Sequence, residues 1–207
     1  AGPLARKLDL VEKDPQGVLI VGAHRAALSI GTALQDAGFT VALIDTNNTN
    51  VRMAQKSGLF AIENSVFSDS AIDQIPLGEI GYMLALTPDD QVNALAALRF
   101  ETLLGKGNVY QLNPEKGDYS DAVREKFHGK YLFQCEETYE SMDTAISFGG
   151  QVRIIEFGKQ DDVEIYQEMH GKQEILLFTI DNMKRLHVLT CDSVLSLQSD
   201  HKVISLQ

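Results

Sequence analysis

The sequence has few positive charges for its length, and this deficit excludes several classes of partner. Its 207 residues include 18 lysines and arginines against 29 aspartates and glutamates, which gives a formal net charge of -11. A protein that binds phosphate backbones needs a basic face, so nucleic acid is not an expected partner. The same charge argues against adhesion to an anionic lipid surface.

Long hydrophobic runs and metal-binding patterns are also missing from the sequence. No apolar run approaches the roughly 20 residues of a membrane-spanning helix, and no signal-peptide pattern is present. The cysteines are Cys135 and Cys191, and neither a CxxC nor an HExxH pattern occurs. Two cysteines permit a disulfide, but their apolar surroundings favour buried thiols in a reducing compartment. We therefore expect no metal site.

Short apolar runs alternate with helical patterns through the first half of the sequence. The predicted strands are 18–22, 40–45, 59–63, 82–87 and 108–112, and the predicted helices are 24–37, 48–58, 69–75 and a segment from Thr87-Pro88 to Gly105. Asn48 or Thr49 is the expected cap of the second helix, and Thr87 that of the fourth. This alternation predicts an α/β, Rossmann-like, doubly wound parallel sheet.

The regular alternation of strand and helix patterns ends at about Asn113. A polar loop and helix are expected over 113–127, a sixth strand over 131–135 and a helix over 139–150, followed by short strands at 151–158, 174–180, 185–190 and 202–207. We therefore predict a linker over 1–15, a Rossmann-like domain over 16–135 and a small β-rich module over 136–207. The composition, 44% hydrophobic and 23% charged, suits such a globular chain.

The loop after the first predicted strand begins like a dinucleotide-binding fingerprint and then departs from it. Gly22 can make the tight turn, and Ala27 replaces the third glycine at little cost. His24 stands at the second glycine, where the backbone would approach a diphosphate. Two interpretations remain open. Either His24 points outward and holds phosphate with Arg25 and the helix N-terminus, or it blocks the cleft and leaves a scaffold.

An acidic residue, Asp45, ends the second predicted strand, 23 residues after Gly22. A carboxylate there can accept both ribose hydroxyls and repels a 2′-phosphate, which favours NAD or AMP over NADP. The alternative is that Asp45 only caps the turn that follows it. Asn64 and Thr87 follow the third and fourth strands and would line the same crevice. The candidate nucleotide-binding residues are Gly22, Ala23, His24, Arg25, Asp45, Thr46, Asn64 and Thr87.

Residues 17–112, with VLIVGAHRAALSIGTALQDAGFTVALIDTN and YMLALTPDDQVNALAALRF, resemble the TrkA-N domain. This domain is the nucleotide-binding half of regulator-of-conductance-of-potassium (RCK) modules. Gly22 and Arg25 match the family's phosphate-loop pattern, whereas His24 and Ala27 replace glycines. Asp45 matches the acid after strand two, and Asn64 replaces the acid of the family's Gly-Asp-Ala after strand three.

Two further stretches narrow the resemblance. AGPLARKLDL looks like the segment after the last transmembrane helix of NhaP-type sodium/proton antiporters, and the tail from GGQVRIIEFG is similar to a module that follows TrkA-N in some of them. The resemblance implies a cytosolic regulatory domain at the cytoplasmic face of the membrane. Its implied partners are an adenine nucleotide (AMP or NAD(H)), a second copy of the chain, and the transmembrane transport domain of the same polypeptide.

The implied mechanism is a change of dimer geometry, driven by ligand or pH, that pulls on the transport domain. The segment 91–104 is rich in Ala and Leu all round, so it is either dimer interface or buried between the sheet and the second module. A ligand-free dimerisation scaffold is the first alternative, and a pH sensor using histidine is a further one. An NAD-dependent oxidoreductase is less favoured, because the scattered histidines form no dehydrogenase constellation. We expect no enzyme.

Overall fold

The computed structural model describes residues 14–115, 129–133, 137–169 and 174–207. The strands are β1 (Gly17–Val21), β2 (Val41–Asp45), β3 (Phe60–Glu63), β4 (Ile80–Ala85), β5 (Val109–Gln111), β6 (Lys130–Tyr131), β7 (Val152–Glu156), β8 (Ile175–Ile180), β9 (Leu186–Val188) and β10 (Lys202–Leu206). The helices are α1 (Arg25–Asp36), α2 (Asn48–Lys56), α3 (Asp69–Ile72), α4 (Asp90–Leu104), α5 (Tyr139–Ser147) and α6 (Gln160–Met169).

Six parallel strands form the first sheet, in the order β3-β2-β1-β4-β5-β6. The order reverses between β1 and β4, which is the point where a doubly wound sheet leaves a crevice at the carboxyl ends of its strands. This sheet and its helices confirm the Rossmann-like fold expected from the sequence. The predicted strands lie within two residues of the observed ones in this half of the chain.

The apolar strands form this sheet because helices cover both of its faces. Every residue of β1 is buried, as expected for a central parallel strand. Its side chains alternate between two cores. Val18 and Ile20 pack in the core that includes α1, whereas Leu19 and Val21 pack in the core that includes Phe100 of α4. The period of two along β1 thus fixes which helix lies on which side.

The second sheet is antiparallel, in the order β7-β10-β8-β9. One of its faces joins the core of α1 and β1, and the other packs against α6 through Val163 and Tyr166. Its edge strand β9 is tied to the first sheet, because Tyr82 Oη donates to the Leu186 carbonyl at 3.0 Å and Gln16 Oε1 accepts from Leu186 N at 2.9 Å. The two sheets therefore share one core.

Several local expectations differ from the structure. The cap of α2 is Asn47, whose Oδ1 accepts from Thr49 N, and the cap of α4 is Asp89, whose Oδ1 accepts from Gln91 N and Val92 N. Asn48, Thr49 and Thr87 therefore do not cap these helices. Asn47 and Asp89 do so because their backbone is extended, as a cap residue requires.

The remaining differences lie in the C-terminal half. Helix α6 was not predicted, because most of its residues are polar. Its buried residues are Val163 and Tyr166, at i, i+3 spacing. The expectation of free thiols is wrong for Cys191, which is disulfide-bonded, because pairing depends on tertiary contacts that spacing does not specify. Three predictions lie mostly or partly outside the described residues. They are the loop and helix over 113–127, the C-terminal end of the sixth strand with Cys135, and nearly all of the linker over 1–15.

No helix within the described ranges is both long and apolar enough to span a membrane.

Candidate functional site

The turn between β1 and α1 has the backbone that its glycine predicts. Gly22 lies at φ +107°, a conformation that favours glycine, and its N–H donates to the Ile44 carbonyl at 2.8 Å. A Cβ at Gly22 would also lie 3.4 Å from the His24 ring and 3.5 Å from the Leu86 carbonyl carbon. The turn is therefore tight, and it brings the ends of β1, β2 and β4 together.

Asp45, at the end of β2, holds this turn in place. Its Oδ2 accepts from Ala23 N at 2.8 Å and from Asn50 Nδ2 at 3.1 Å, and its Oδ1 accepts from Asn47 N at 2.8 Å. The bond to Asn47 is the turn-capping role considered from the sequence, and the bond to Ala23 ties β2 to the β1–α1 turn. A carboxylate offers about four lone-pair sites, so about one remains for a ligand hydroxyl.

The His24 side chain is turned towards β4. Its Nε2 lies 2.5 Å from the Leu86 carbonyl, and its ring meets the edge of Tyr139, on the first turn of α5, with 4.8 Å between centroids and 74° between planes. Because a carbonyl only accepts, Nε2 carries the hydrogen, and Nδ1 is buried with no hydrogen-bond partner in the described part of the chain. Arg25, by contrast, is exposed at the first position of α1.

The environment of His24 keeps its imidazole neutral. Desolvation by burial lowers its pKa, against the hydrogen bond to Leu86 and the charges of Asp45 and Asp143, which raise it. A proton on Nδ1 would add a donor that has no partner there. The ring is thus a neutral donor held between two strands of the sheet and the second module.

Asn64 and Thr87 are mostly engaged by their own loops. Asn64 Nδ2 donates to Ser70 Oγ at 3.1 Å, and its Oδ1 accepts from Ser65 N at 2.8 Å. Thr87 Oγ1 donates to Asn93 Oδ1 at 2.7 Å, and Thr87 N donates to the same oxygen at 2.9 Å. The buried Asn93 therefore fixes the loop that leads from β4 into α4.

A cleft of about 140 Å³ opens beside these groups at the carboxyl edge of the sheet. It is lined by Val21, Gly22, Ile44, Asp45, Thr46, Asn64, Ser65, Val66, Phe67, Thr87 and Val92. Five of the candidate residues thus lie around one cleft, namely Gly22, Asp45, Thr46, Asn64 and Thr87. Ala23, His24 and Arg25 are not part of its wall. Within the described ranges, no group of three or more His, Cys, Asp or Glu side chains could hold a metal ion.

Sequence reasoning missed several residues of this site. Asn47 and Asn50 were visible as part of the polar segment after Asp45, but only the structure shows that Asn50 contacts that carboxylate. Asn93 belongs to the stretch TPDDQVN that resembles the TrkA-N family, but only the structure shows that it anchors the loop at Thr87. Tyr139 belongs to the second module, and no sequence signal places it against His24.

Comparison with known proteins gives one family and several fold likenesses. The family model described as the TrkA-N domain matches residues 18–122. No curated protein matches the chain. The TrkA-N domain of the inner membrane protein ybaL from Escherichia coli aligns at 13% identity and a TM-score of 0.41, covering 49% of this chain and 77% of that one.

Two further solved structures align with larger parts of the chain. The NAD(P)-binding domain of an exopolyphosphatase-related protein from Archaeoglobus fulgidus is 14% identical, with a TM-score of 0.47, and covers 64% of this chain and 96% of that one. The GsuK channel is 11% identical, with a TM-score of 0.47, and covers 99% of this chain and 41% of that one. The family itself rests on the sequence match, which spans half of the chain and confirms the resemblance to the TrkA-N domain. This chain belongs to the TrkA-N domain family.

Proposed function

We propose that this chain is the cytosolic regulatory domain of a monovalent cation/proton antiporter and that it binds an adenine nucleotide, AMP or NAD(H). The observation that carries the proposal is the cleft of about 140 Å³ with Asp45 in its wall, at the carboxyl ends of β1, β2, β3 and β4. An acid at the end of β2 is where a Rossmann-like site receives a ribose. Gly22, with φ +107°, makes the tight turn beside the cleft.

The carboxylate of Asp45 limits how the ribose can be received. Three of its hydrogen bonds are internal, so a ribose hydroxyl uses the remaining lone pair, and a second one displaces the Asn50 amide. A 2′-phosphate would bring negative charge against this carboxylate. We therefore expect nucleotides with a free 2′-hydroxyl to bind and NADP to be rejected.

Isothermal titration calorimetry with AMP, ADP, ATP, NAD+ and NADH tests the proposal. We expect heat from at least one of them, and a loss of about 1–3 kcal/mol of binding free energy in Asp45→Ala. The exposed Asp36, on α1, provides the matched control, and Asp36→Ala should bind like the wild type. Silence from all five nucleotides would contradict the nucleotide-binding proposal.

The antiporter context and the mechanism rest on the resemblance of the two ends of the sequence to NhaP-type proteins. In this proposal, two copies of the chain pair, and ligand binding changes the geometry of the pair and pulls on the transport domain of the same polypeptide. This requires a ligand with different affinities for the two arrangements. Transport by the full-length protein, measured in vesicles, should therefore change when the nucleotide is added to the wild type but not when it is added to Asp45→Ala.

The pairing surface that we propose is the outer face of α4. Leu95, Leu98 and Leu103 are 54%, 43% and 45% exposed there, while Ala96, Ala97 and Phe100 are buried against the sheet. Three exposed leucines on one helix favour a buried contact with another copy over a solvated face. Light scattering should give a dimer at micromolar concentrations, and a monomer at high micromolar concentration would contradict pairing.

A ligand-free scaffold is the second candidate, and the position of His24 favours it. The ring bonds Leu86 and contacts Tyr139, so the crevice between β1 and β4 is filled by the chain itself. The titration series separates the two candidates, because a scaffold gives no heat with any nucleotide. We also propose a regulatory rather than an enzymatic role, which turnover of NADH with a small acid would contradict.

A further inference from the structure

The position of His24 divides the crevice of the Rossmann-like sheet into two unequal parts. The strand order reverses between β1 and β4, and a dinucleotide crosses a sheet of this kind at that point, with its pyrophosphate over the β1–α1 turn. One nucleoside then lies on the β2 side and the other on the β5 side. The side chains at the crossing therefore decide whether both halves can be used.

The imidazole of His24 lies directly at this crossing. Its Nε2 donates to the carbonyl of Leu86, which follows β4, and its Cδ2 lies 3.4 Å from the place of a Cβ at Gly22, which follows β1. The ring thus spans the gap between the two strand ends. The edge contact with Tyr139 supports it from the side of the second module.

The open cleft lies mainly on the β2 side of this bridge. Its wall includes Asp45 and Thr46 after β2 and the segment from Asn64 to Phe67 after β3, and it reaches Thr87 and Val92 after β4. It includes none of Ala23, His24 and Arg25. Its volume, about 140 Å³, is below the roughly 300–1,000 Å³ of typical ligand pockets. The open space is therefore small, and the His24 ring lies at the crossing towards the β5 side of the sheet.

From this geometry we infer that His24 is a specificity-determining residue, which restricts the cleft to a nucleoside monophosphate and excludes a dinucleotide. The inference rests on the proposed nucleotide binding and decides which of its ligands is bound. A pyrophosphate at the crossing must displace the ring, which breaks the Leu86 hydrogen bond and removes the Tyr139 contact. A single nucleotide on the β2 side leaves both in place.

The burial of the ring strengthens this argument. A protonated imidazole could attract a pyrophosphate, but burial lowers the pKa of His24, so at neutral pH the ring is uncharged. The groups that face it are the Leu86 carbonyl, Tyr139, and the carboxylates of Asp45 and Asp143. The neutral ring therefore offers a diphosphate no attraction that would offset the loss of the ring's own contacts.

Calorimetric titrations with AMP and NAD+ on the wild type and on His24→Gly test the inference. We expect the wild type to prefer AMP by at least about tenfold, and His24→Gly to reduce that preference by at least about tenfold through tighter NAD+ binding. His201→Gly makes the same change outside the site and should keep the wild-type ratio. His24→Ala, which keeps a Cβ at the cap of α1, carries the test if circular dichroism shows that the glycine variant is unfolded.

The outcomes separate this inference from the proposed function. An unchanged ratio in the folded His24 variants, or a wild type that binds NAD+ as tightly as AMP, would overturn the role of His24 while leaving nucleotide binding intact. Heat from NAD+ with His24→Gly alone would support the closing of the crevice by His24 and contradict nucleotide binding by the natural chain. Silence from both nucleotides in every protein would overturn both proposals.

Discussion

Replacing Asp45 by alanine should destabilise the folded protein even when no nucleotide is present. The carboxylate accepts three internal hydrogen bonds, from Ala23 N, Asn47 N and Asn50 Nδ2. Their costs of removal differ, because the three donors differ in their access to water. Ala23 is fully buried, whereas Asn47 is exposed and Asn50 is half-buried. Water can therefore replace the carboxylate at the two asparagines but not at Ala23.

The buried Ala23 N–H dominates the expected loss of stability. Leaving a buried donor without an acceptor costs about 1–3 kcal/mol, and the bonds that water replaces add little. A loss of about 2 kcal/mol lowers the Tm of a protein of this size by roughly 4–8 °C. The same substitution should weaken binding of an adenine nucleotide by about 1–3 kcal/mol.

Thermal unfolding followed by circular dichroism measures the first effect, and the rise in Tm on addition of AMP measures the second. Asp36→Ala removes an exposed carboxylate and should melt like the wild type, with the same rise on addition of AMP. If Asp45→Ala also melted like the wild type, the bond from Ala23 would not stabilise the β1–α1 turn. If it melted lower but kept the full rise with AMP, the ribose would bind elsewhere.

Three further substitutions test the fold, the pairing surface and the charge state of His24. Gly81→Ala should lower the free energy of unfolding in urea by at least about 2 kcal/mol, because the new Cβ would lie 1.7 Å from a backbone oxygen. Gly78→Ala is the control, since its Cβ would have no atom within 4 Å, and its stability should stay within about 0.5 kcal/mol of the wild type. Equal stabilities would refute the close approach at β4. Leu98→Glu should give a monomer in light scattering, and Val194→Glu, at a residue that is 92% exposed, should not; a dimeric Leu98 variant would exclude α4 as the interface. Between about pH 7 and pH 5 the wild type should lose more stability than His24→Gln. Burial lowers the pKa of His24 in the folded protein, so over this range the unfolded chain binds a proton there that the folded chain does not. Parallel pH profiles would show that the ring is not held neutral.

The sequence is informative about the first sheet because each of its elements is defined by neighbouring residues. The buried strands read as continuous apolar runs, and the glycine and the acid at the ends of β1 and β2 mark the edge where a ligand would bind. Helix caps are less certain from sequence. Several residues able to cap adjoin one another before α2 and α4, and the backbone conformation selects Asn47 and Asp89.

The contacts that decide the use of the site could not be predicted, because they join distant parts of the chain. His24 reaches a carbonyl 62 residues away and a tyrosine in the second module. Either orientation of its side chain agrees with the sequence, and packing chooses between them. Helix α6 was missed for a related reason. Its buried residues, Val163 and Tyr166, become an apolar face only when the second sheet is present to cover them.

Two consecutive residues of the β1–α1 turn connect the cleft to opposite parts of the fold. Ala23 is bonded through its N–H to Asp45 on the β2 side, and His24 is bonded through its ring to Leu86 on the β4 side and contacts Tyr139. A ligand that contacts only Asp45 does not touch the His24–Tyr139 contact directly, and it acts on this turn through the bond from Ala23. A ligand that displaces the ring alters the contact between the two modules, and its binding free energy then depends on how they pack. A signal from Asp45 to the second module through this turn must therefore pass through Ala23 to His24.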